Sequence, residues 1–428
     1  MAPPQNRRRP TLHVHFGAGK LGIGAVLPVL RTDRPLVVVQ TAREGSREVD
    51  WDLVAKQRRV LLSNSAGIRD DELSERPPKP YRRWFRCIRH HWTDKVIHIR
   101  DLQTENLEPL LLVVDHYKEI APILRHAGVL SCALSAGQSE LASILSESKP
   151  ASPNAQVLAF ENTLLSTLRD NGNWPVFHVI TDRICSRREP RDSNRCLWVR
   201  NEEHLEMISA TATKRHFAPD LVGDDKQIRL VPAEDLQFLA LKKRALVNSL
   251  HQLLAILCFR ALSEQGLPSG GQYLPLVMAW FAKEHPDFHH SVELYKRLRA
   301  LQLVWPLCEP DERTNSYADA AKRFYRTEEP QQIYDAMLQE AQKVVDRFSK
   351  ASDELRRLID PQNLRKELRG YREHILEPIH FMWTHEQSIK KYPLYEKPNF
   401  SDLSGLEDVL TESFLIAMEK AMSFSEES

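Results

Sequence analysis

Leu12-His13-Val14-His15-Phe16-Gly17-Ala18-Gly19-Lys20-Leu21-Gly22-Ile23-Gly24 is an apolar run that enters a glycine series without a break. Gly17, Gly19 and Gly22 stand at G-x-G-x-x-G spacing, Gly24 adds one more, and a helix-like run from Ala25 to Leu30 follows. Strand, tight turn and helix in that order are the setting in which this spacing signals dinucleotide binding. Each glycine then has a task. Gly17 permits the turn out of the strand. Gly19, lacking a Cβ, lets a pyrophosphate approach the backbone. Gly22 lets helix and strand pack closely. The helix start offers free N–H groups and partial positive charge to phosphate, with Ala18, Lys20 and Leu21 completing the turn. A Walker A loop is disfavoured, because Leu21 rather than Ser or Thr follows Gly19-Lys20.

The chain has 428 residues, enough for two domains with cores of their own. Its 42% hydrophobic and 27% charged residues are ordinary for a globular protein. The 59 Lys and Arg nearly balance 58 Asp and Glu, which argues against a general polyanion binder, so no nucleic-acid partner is expected. The first ten residues read as a disordered Pro- and Arg-rich tail. No run reads as a membrane span. The six cysteines (Cys87, Cys132, Cys185, Cys196, Cys258, Cys308) are scattered without a C-x-x-C pair and read as free thiols of a reducing, cytoplasmic protein.

Short apolar runs alternate with helical stretches through the first half. Expected strands are 12–16, 36–40, 110–114, 129–134, 157–160 and 176–181, the pattern of a largely parallel, doubly wound sheet. Residues 60–100 break the rhythm with Pro77-Pro78, the basic-aromatic stretch 81–86 and His90-His91-Trp92, and read as an insertion. The character changes near Pro232. Helical periodicity covers Ala233 to Gln265, Gln272–Lys283, Ser291–Leu303, Ala318–Tyr325, Gln331–Leu358, Gln362–Leu376 and Gly405–Phe424. The expected architecture is an α/β, Rossmann-like doubly wound domain over 11–230 and an all-α domain over 231–428.

Four segments carry a family resemblance. They are His15–Gly24, Ala159-Phe160-Glu161-Asn162, Ile180-Thr181-Asp182-Arg183-Ile184, and Lys243–His251 with its K-x4-N-x2-H spacing. Together they resemble the polyol-specific long-chain dehydrogenases, such as mannitol-1-phosphate 5-dehydrogenase and mannitol 2-dehydrogenase. The resemblance spans roughly residues 12–255, and K-x4-N-x2-H is its specific element. It implies zinc-independent hydride transfer between NADP or NAD and a secondary alcohol of a sugar alcohol or its phosphate, by a monomer or homodimer. It matches Lys243 to the general base, Asn162 and Asn248 to the asparagines that hold the reacting oxygen, His251 to a substrate-orienting residue and Asp182 to a site acid. Near Ala133–Gly137, where the family has a nicotinamide loop, Ser135 is the candidate contact.

Elementary chemistry agrees with those roles. Oxidising an alcohol requires removing its proton as hydride leaves, which a lysine does when burial and a nearby cation lower its pKa. Two amide donors stabilise the developing alkoxide. In an α-helix, Asn248 lies about 140° and His251 about 80° around the axis from Lys243, so all three share one broad face. The competing expectation is that Lys242-Lys243-Arg244 is a solvated run.

The chain departs from the family in two places. NAD-specific members carry an acid near Gln40 or Thr41 for the ribose 2′-OH, whereas here Thr41 is followed by Arg43 and Arg47, which favours a 2′-phosphate and hence NADP. Beyond residue 255 the family's substrate-gripping cations are not recognisable. Two other readings follow: a dinucleotide-binding sensor or scaffold that has lost turnover, and a hydroxy-acid dehydrogenase with a helical second domain. A metal enzyme is disfavoured. His13-x-His15 points to one side of a strand, but no H-E-x-x-H or paired-cysteine spacing accompanies it.

Overall fold

The computed structural model describes residues 12–30, 34–42, 49–66, 81–91, 108–134, 137–150, 155–161, 168, 173–183, 185–191, 193, 195–201, 205–210, 228–264, 274–284, 287–309, 315–350, 364–394 and 397–426. The chain divides into two compact units, Met1–Ala233 and Glu234–Ser428.

The first unit is built on β1 (Leu12–Phe16), β2 (Leu36–Thr41), β3 (Arg59–Ala66), β4 (Arg82–Arg89), β5 (Leu110–Val114), β6 (Ala127–Cys132), β7 (Gln156–Glu161), β8 (Val176–Asp182), β9 (Cys185–Arg191), β10 (Cys196–Asn201), β11 (Glu206–Ala210) and β12 (Arg229–Val231). Every residue of β1, β2 and β5 is buried, as strands covered on both faces require. The six expected strands are all present. They pair in parallel in the order β5-β2-β1-β6-β7-β8, the doubly wound arrangement that reverses direction beside β1.

Helical segments cover both faces. On one lie the turn Gly22–Val26, α1 (Leu27–Val29) and α2 (Trp51–Lys56), whose Ile23, Val26, Trp51 and Val54 join Val38, Leu111 and Leu158 in one core. On the other lie the turn Tyr117–Ile120, α3 (Ala121–Leu124) and α4 (Gln138–Glu147), packing Tyr117, Ile123 and Leu141 on Val14, Phe16 and Leu112. Asp50 caps α2, its carboxylate accepting from the N–H groups of Asp52 and Leu53 at 3.0 Å each.

Residues 60–100 correct the expectation of an insertion. Their described part continues the sheet. β4 pairs parallel with β5 and antiparallel with β3, β3 pairs with β10, and β10 with β9. At the far edge β11 and β12 extend it beyond β8. The reason is the two-residue period of a half-covered sheet. Val60, Leu62, Phe85 and Cys87 enter the core, while Arg59, Arg82 and Trp84 face outward and hide the apolar alternation.

The second unit is helical in its described residues. α5 (Ala233–Lys242), a wide turn Lys243–Asn248 and α6 (Ser249–Glu264) form one continuous rod. By length and composition Ala233–Leu262 would suffice to cross a membrane, which the sequence reading passed over, but 72% of its apolar window is buried in the protein. It serves as the core helix of the unit. Around it run α7 (Leu274–Glu284), α8 (Asp287–Cys308), α9 (Asn315–Tyr325), α10 (Pro330–Phe348), α11 (Leu364–Tyr371), the turn Arg372–Leu376, α12 (Glu377–Thr384), α13 (Glu386–Lys391) and α14 (Phe400–Glu426). α14 packs along α6, and α10 along α8.

If β4 is a core strand, Phe85→Ala will lower the unfolding free energy by about 3–5 kcal/mol. Urea denaturation checks this. A loss under about 1 kcal/mol would return the segment to the status of an appendage.

Candidate functional site

The glycine turn sits where β1 ends between β2 and β6. Gly17 takes φ 101°, a conformation side chains rarely adopt, and a Cβ there would lie 2.7 Å from the Ala133 carbonyl oxygen. A Cβ on Gly22 would fall 2.2 Å from the Gly17 carbonyl oxygen. A Cβ on Gly19 would have no atom within 4 Å. Thus two glycines are demanded by the protein itself and the middle one faces open space, the cradle a pyrophosphate needs. Three backbone bonds fix the turn: Gly17 N–H to Val39 O and Ala133 N–H to Phe16 O, both 2.9 Å, and Ile23 N–H to Gly19 O, 3.0 Å.

The next helical turn is π-wound, the Leu27 N–H donating to the Gly22 oxygen. Gly24 is consumed by packing, since its Cβ would meet Cys185 Sγ at 2.6 Å. Lys20 and Leu21 are half-buried at the head of this turn.

The end of β2 differs from an acidic one. Gln40 is buried and its Oε1 accepts the Ala18 N–H at 2.8 Å, while its Nε2 donates to the Thr41 oxygen at 3.1 Å. The residue at the acid position therefore anchors the glycine turn, a role its place in the sequence did not reveal. Thr41 Oγ1 is buried with no hydrogen-bond partner among the described residues. Arg43, Ser135 and Asn162 lie outside the described residues. Gly137, φ 78°, opens α4 just beyond Ser135. Asp182 closes β8, half-buried and opposite Glu206 of β11.

Beneath the turn, His13 Nε2 and His15 Nδ1 each lie 2.8 Å from Ser131 Oγ, and His15 Nε2 lies 3.1 Å from the Gly17 oxygen. Burial holds both imidazoles neutral, pushing His13 down to about 3, with Arg34 and the charge His15 would carry once protonated adding to it, and His15 to about 4.

In the second unit Lys243, Asn248 and His251 fall on one rod. Lys243 and Asn248 begin and end the wide turn, where the Ser249 N–H donates to the Arg244 oxygen. This corrects the α-helical angles assumed from the sequence: hydrogen bonds here span five residues, so Lys243 and Asn248 are not in α-register. The run Lys242-Lys243-Arg244 is not a solvated face. Lys242 pairs with Glu340 at 2.7 Å and lies 4.2 Å from the Phe324 ring centroid, Arg244 pairs with Glu373, and Lys243 is only 7% exposed. His251 stacks on Phe348 with centroids 4.1 Å apart.

Arg299 is a site neighbour that no sequence pattern announced. Buried in α8, it donates from Nε to the Ala245 oxygen at 3.0 Å and from one terminal nitrogen to Gln302 at 2.7 Å. Burial, then the positive charges of Arg299 and Arg244, lower His374 to about 4. Lys296 of α8 is likewise buried, against Glu293 and Gln342. Among the described residues no three His, Cys, Asp or Glu side chains converge to hold a metal.

No protein-family model matches the sequence, and no curated protein does. Solved structures resemble it in architecture. Mannitol 2-dehydrogenase of Pseudomonas fluorescens, in a ternary complex with NAD and D-mannitol, is 13% identical and matches 96% of this chain and 87% of its own, TM-score 0.46. Ketopantoate reductase of Staphylococcus aureus is 10% identical over 95% and 99%, TM-score 0.37. Glycerol-3-phosphate dehydrogenase of Coxiella burnetii is 11% identical over 98% and 100%, TM-score 0.35.

The three glycines should respond differently. Gly17→Ala and Gly22→Ala will each destabilise the fold by about 1 kcal/mol or more, whereas Gly19→Ala will leave the melting temperature within experimental error. Thermal denaturation of the three variants decides it, and equal losses would contradict the geometry.

Acid should loosen the first unit. An unfolded histidine titrates near 6.5, so below that pH the unfolded chain binds more protons than the folded one, and stability falls as pH drops toward 4. For His13 or His15 the loss by pH 5 is about 2 kcal/mol each. The urea midpoint should fall between pH 7 and pH 5, and fall less in His13→Gln. An equal drop in the variant would remove His13 from the account.

Proposed function

We propose that this chain is an oxidoreductase that transfers hydride between a nicotinamide dinucleotide and the secondary alcohol of a sugar alcohol or its phosphate. One observation carries the reading: the glycine turn is closed by the protein at Gly17 and Gly22 and open at Gly19. That is the division of labour a pyrophosphate cradle needs, at the carboxyl ends of a doubly wound sheet where such cofactors bind. The orphaned Thr41 hydroxyl at the neighbouring strand end supplies a further polar group for the nucleotide.

NADP is the preferred cofactor in this reading, with NAD the alternative. Gln40 is neutral and committed to Ala18, so that position presents no carboxylate against a 2′-phosphate. Arg43 then provides the positive charge.

The nicotinamide, when bound, accepts or delivers the hydride. The chain's own residues do the rest. In the second unit Lys243 takes the alcohol proton and Asn248 donates an amide N–H to the reacting oxygen; the family resemblance gives Asn162 and Asp182 of the first unit the roles of a second amide donor and a site acid. His251, its ring fixed against Phe348, orients the substrate. The burial of Lys243 supports its assignment over Lys242, which is engaged by Glu340 and the Phe324 ring.

Titration with NADPH and NADH, followed by nicotinamide fluorescence, tests the reading. Binding of NADPH, tighter than NADH, is expected, and Gly19→Val should abolish it with an unchanged melting temperature. Lys243→Ala should remove turnover in a polyol and polyol-phosphate screen while sparing nucleotide binding. Binding without turnover in the unmodified protein would favour the sensor reading. Binding of neither nucleotide would overturn both.

A further inference from the structure

The histidine pair ahead of the glycine turn is not used by the proposed reaction, yet its hydrogen bonds are fully directional. A carbonyl only accepts, so His15 Nε2 must carry the proton it shares with the Gly17 oxygen at 3.1 Å. His15 is neutral, which leaves Nδ1 as an acceptor. The Ser131 hydroxyl therefore donates to His15 Nδ1 at 2.8 Å. That hydroxyl has one proton, so its oxygen accepts from His13 Nε2–H, also at 2.8 Å. Exposure is 2% at His13 and 0% at His15 and Ser131, so water does not compete along the chain.

Two other uses of these residues are weaker. A metal would need a third ligand, and none converges among the described residues. A proton relay would need a titratable end, whereas this chain ends on a backbone amide oxygen. That oxygen belongs to the most crowded point of the turn. It is the atom a Gly22 Cβ would strike, and it belongs to the residue held at φ 101°. A Gly22 Cβ would also come within 3.3 Å of His15 Nε2.

We propose that His15 is a positioning residue for the dinucleotide turn, fixed in one tautomer by the His13–Ser131–His15 relay and holding the Gly17 carbonyl. This rests on the dinucleotide reading of the turn. Ser131 stands on β6, and the N–H of Ala133, the residue just past that strand, bonds Phe16 O, so the relay ties the end of β6 to the turn through side chains as well as backbone. Ala18, the next residue, is held from the opposite side by Gln40. The peptide group that joins Gly17 and Ala18 is thus gripped at both ends, carbonyl and N–H.

The test compares the full-length protein with His15→Leu, His15→Gln and Ser131→Ala. Gln keeps a donor where His15 Nε2 lies, and Leu does not. Amide exchange across Gly17–Gly22 should be about ten-fold faster in His15→Leu, and NADPH affinity about ten-fold weaker, the scale of one lost buried hydrogen bond. His15→Gln should restore both to within about two-fold. A merely structural role would lower the urea midpoint in both variants and leave turn exchange unchanged, and that result overturns the proposal. Because His15→Leu can fail to fold, 15N shifts of the unmodified protein give a second reading. His15 should be the Nε2–H tautomer with a bare Nδ1, becoming mixed in Ser131→Ala. The Nδ1–H tautomer in the unmodified protein would also overturn it. If exchange and tautomer behave as expected while the unmodified protein binds neither NADPH nor NADH, the relay stands and the dinucleotide reading fails.

Discussion

The carbonyl of Gly17 is the point on which the first unit turns. Strand β1 ends there, the chain reverses through a positive φ, and the glycine helix returns so closely that a single methyl on Gly22 would overlap the oxygen. Close approach of this kind is possible only where three neighbours leave no slack. Val39 O holds the Gly17 N–H, Gln40 holds the Ala18 N–H and His15 holds the carbonyl. The parallel order of β2, β1 and β6 brings these partners to one end of the sheet. The open space at Gly19 is what this tight framework leaves.

The parallel core was legible in the sequence because strands buried on both faces read as unbroken apolar runs, as in Leu36–Gln40 and Leu110–Val114. Strands β3 and β4 were not, for the opposite reason. Their outward positions hold Arg59, Arg82 and Trp84, so the buried Val60 and Phe85 are flanked by charged or exposed residues. At the glycine turn the crowding at Gly17 and Gly22 was legible from their spacing, and Gly19 stands in open space. Gln40 was misjudged as the mere absence of an acid. Its amide finds Ala18, which is 22 residues distant, and no local pattern encodes that. Arg299 was invisible because its partner is the Ala245 backbone 54 residues away, and a backbone carbonyl leaves no mark in composition.

The basic run at 242–244 shows how charge is accommodated inside a helical unit. Lys242 has Glu340 and an aromatic face, Arg244 has Glu373, and both acids come from other helices. These charges are half-buried, so each pair is worth more than the about 0–1 kcal/mol of an exposed one. These pairs therefore fix the rotation of the rod against α10 and the turn after α11, and with it the presentation of Lys243. The sequence could not show this, because a pair of acids nearly a hundred or more residues away reads like any surface carboxylate.

Two of the three wide helical turns, Gly22–Val26 and Lys243–Asn248, share a cause. At Gly22–Val26 the Asn64 side-chain amide donates to the oxygens of Gly24 at 3.1 Å and Ile23 at 3.4 Å. At Lys243–Asn248 the Ala245 oxygen accepts from the Arg299 guanidinium and the Ser249 hydroxyl. In both places a side chain takes up a helix carbonyl and the local ladder widens, the usual origin of such a distortion. Asn64 belongs to β3, and the glycine helix also packs on Cys185 of β9 and Val199 of β10. The strands that looked like an insertion thus brace the helix that follows the glycine turn. Removing them would free the very carbonyls that set its path, so the extension of the sheet and the shape of the candidate cofactor site are one structural problem.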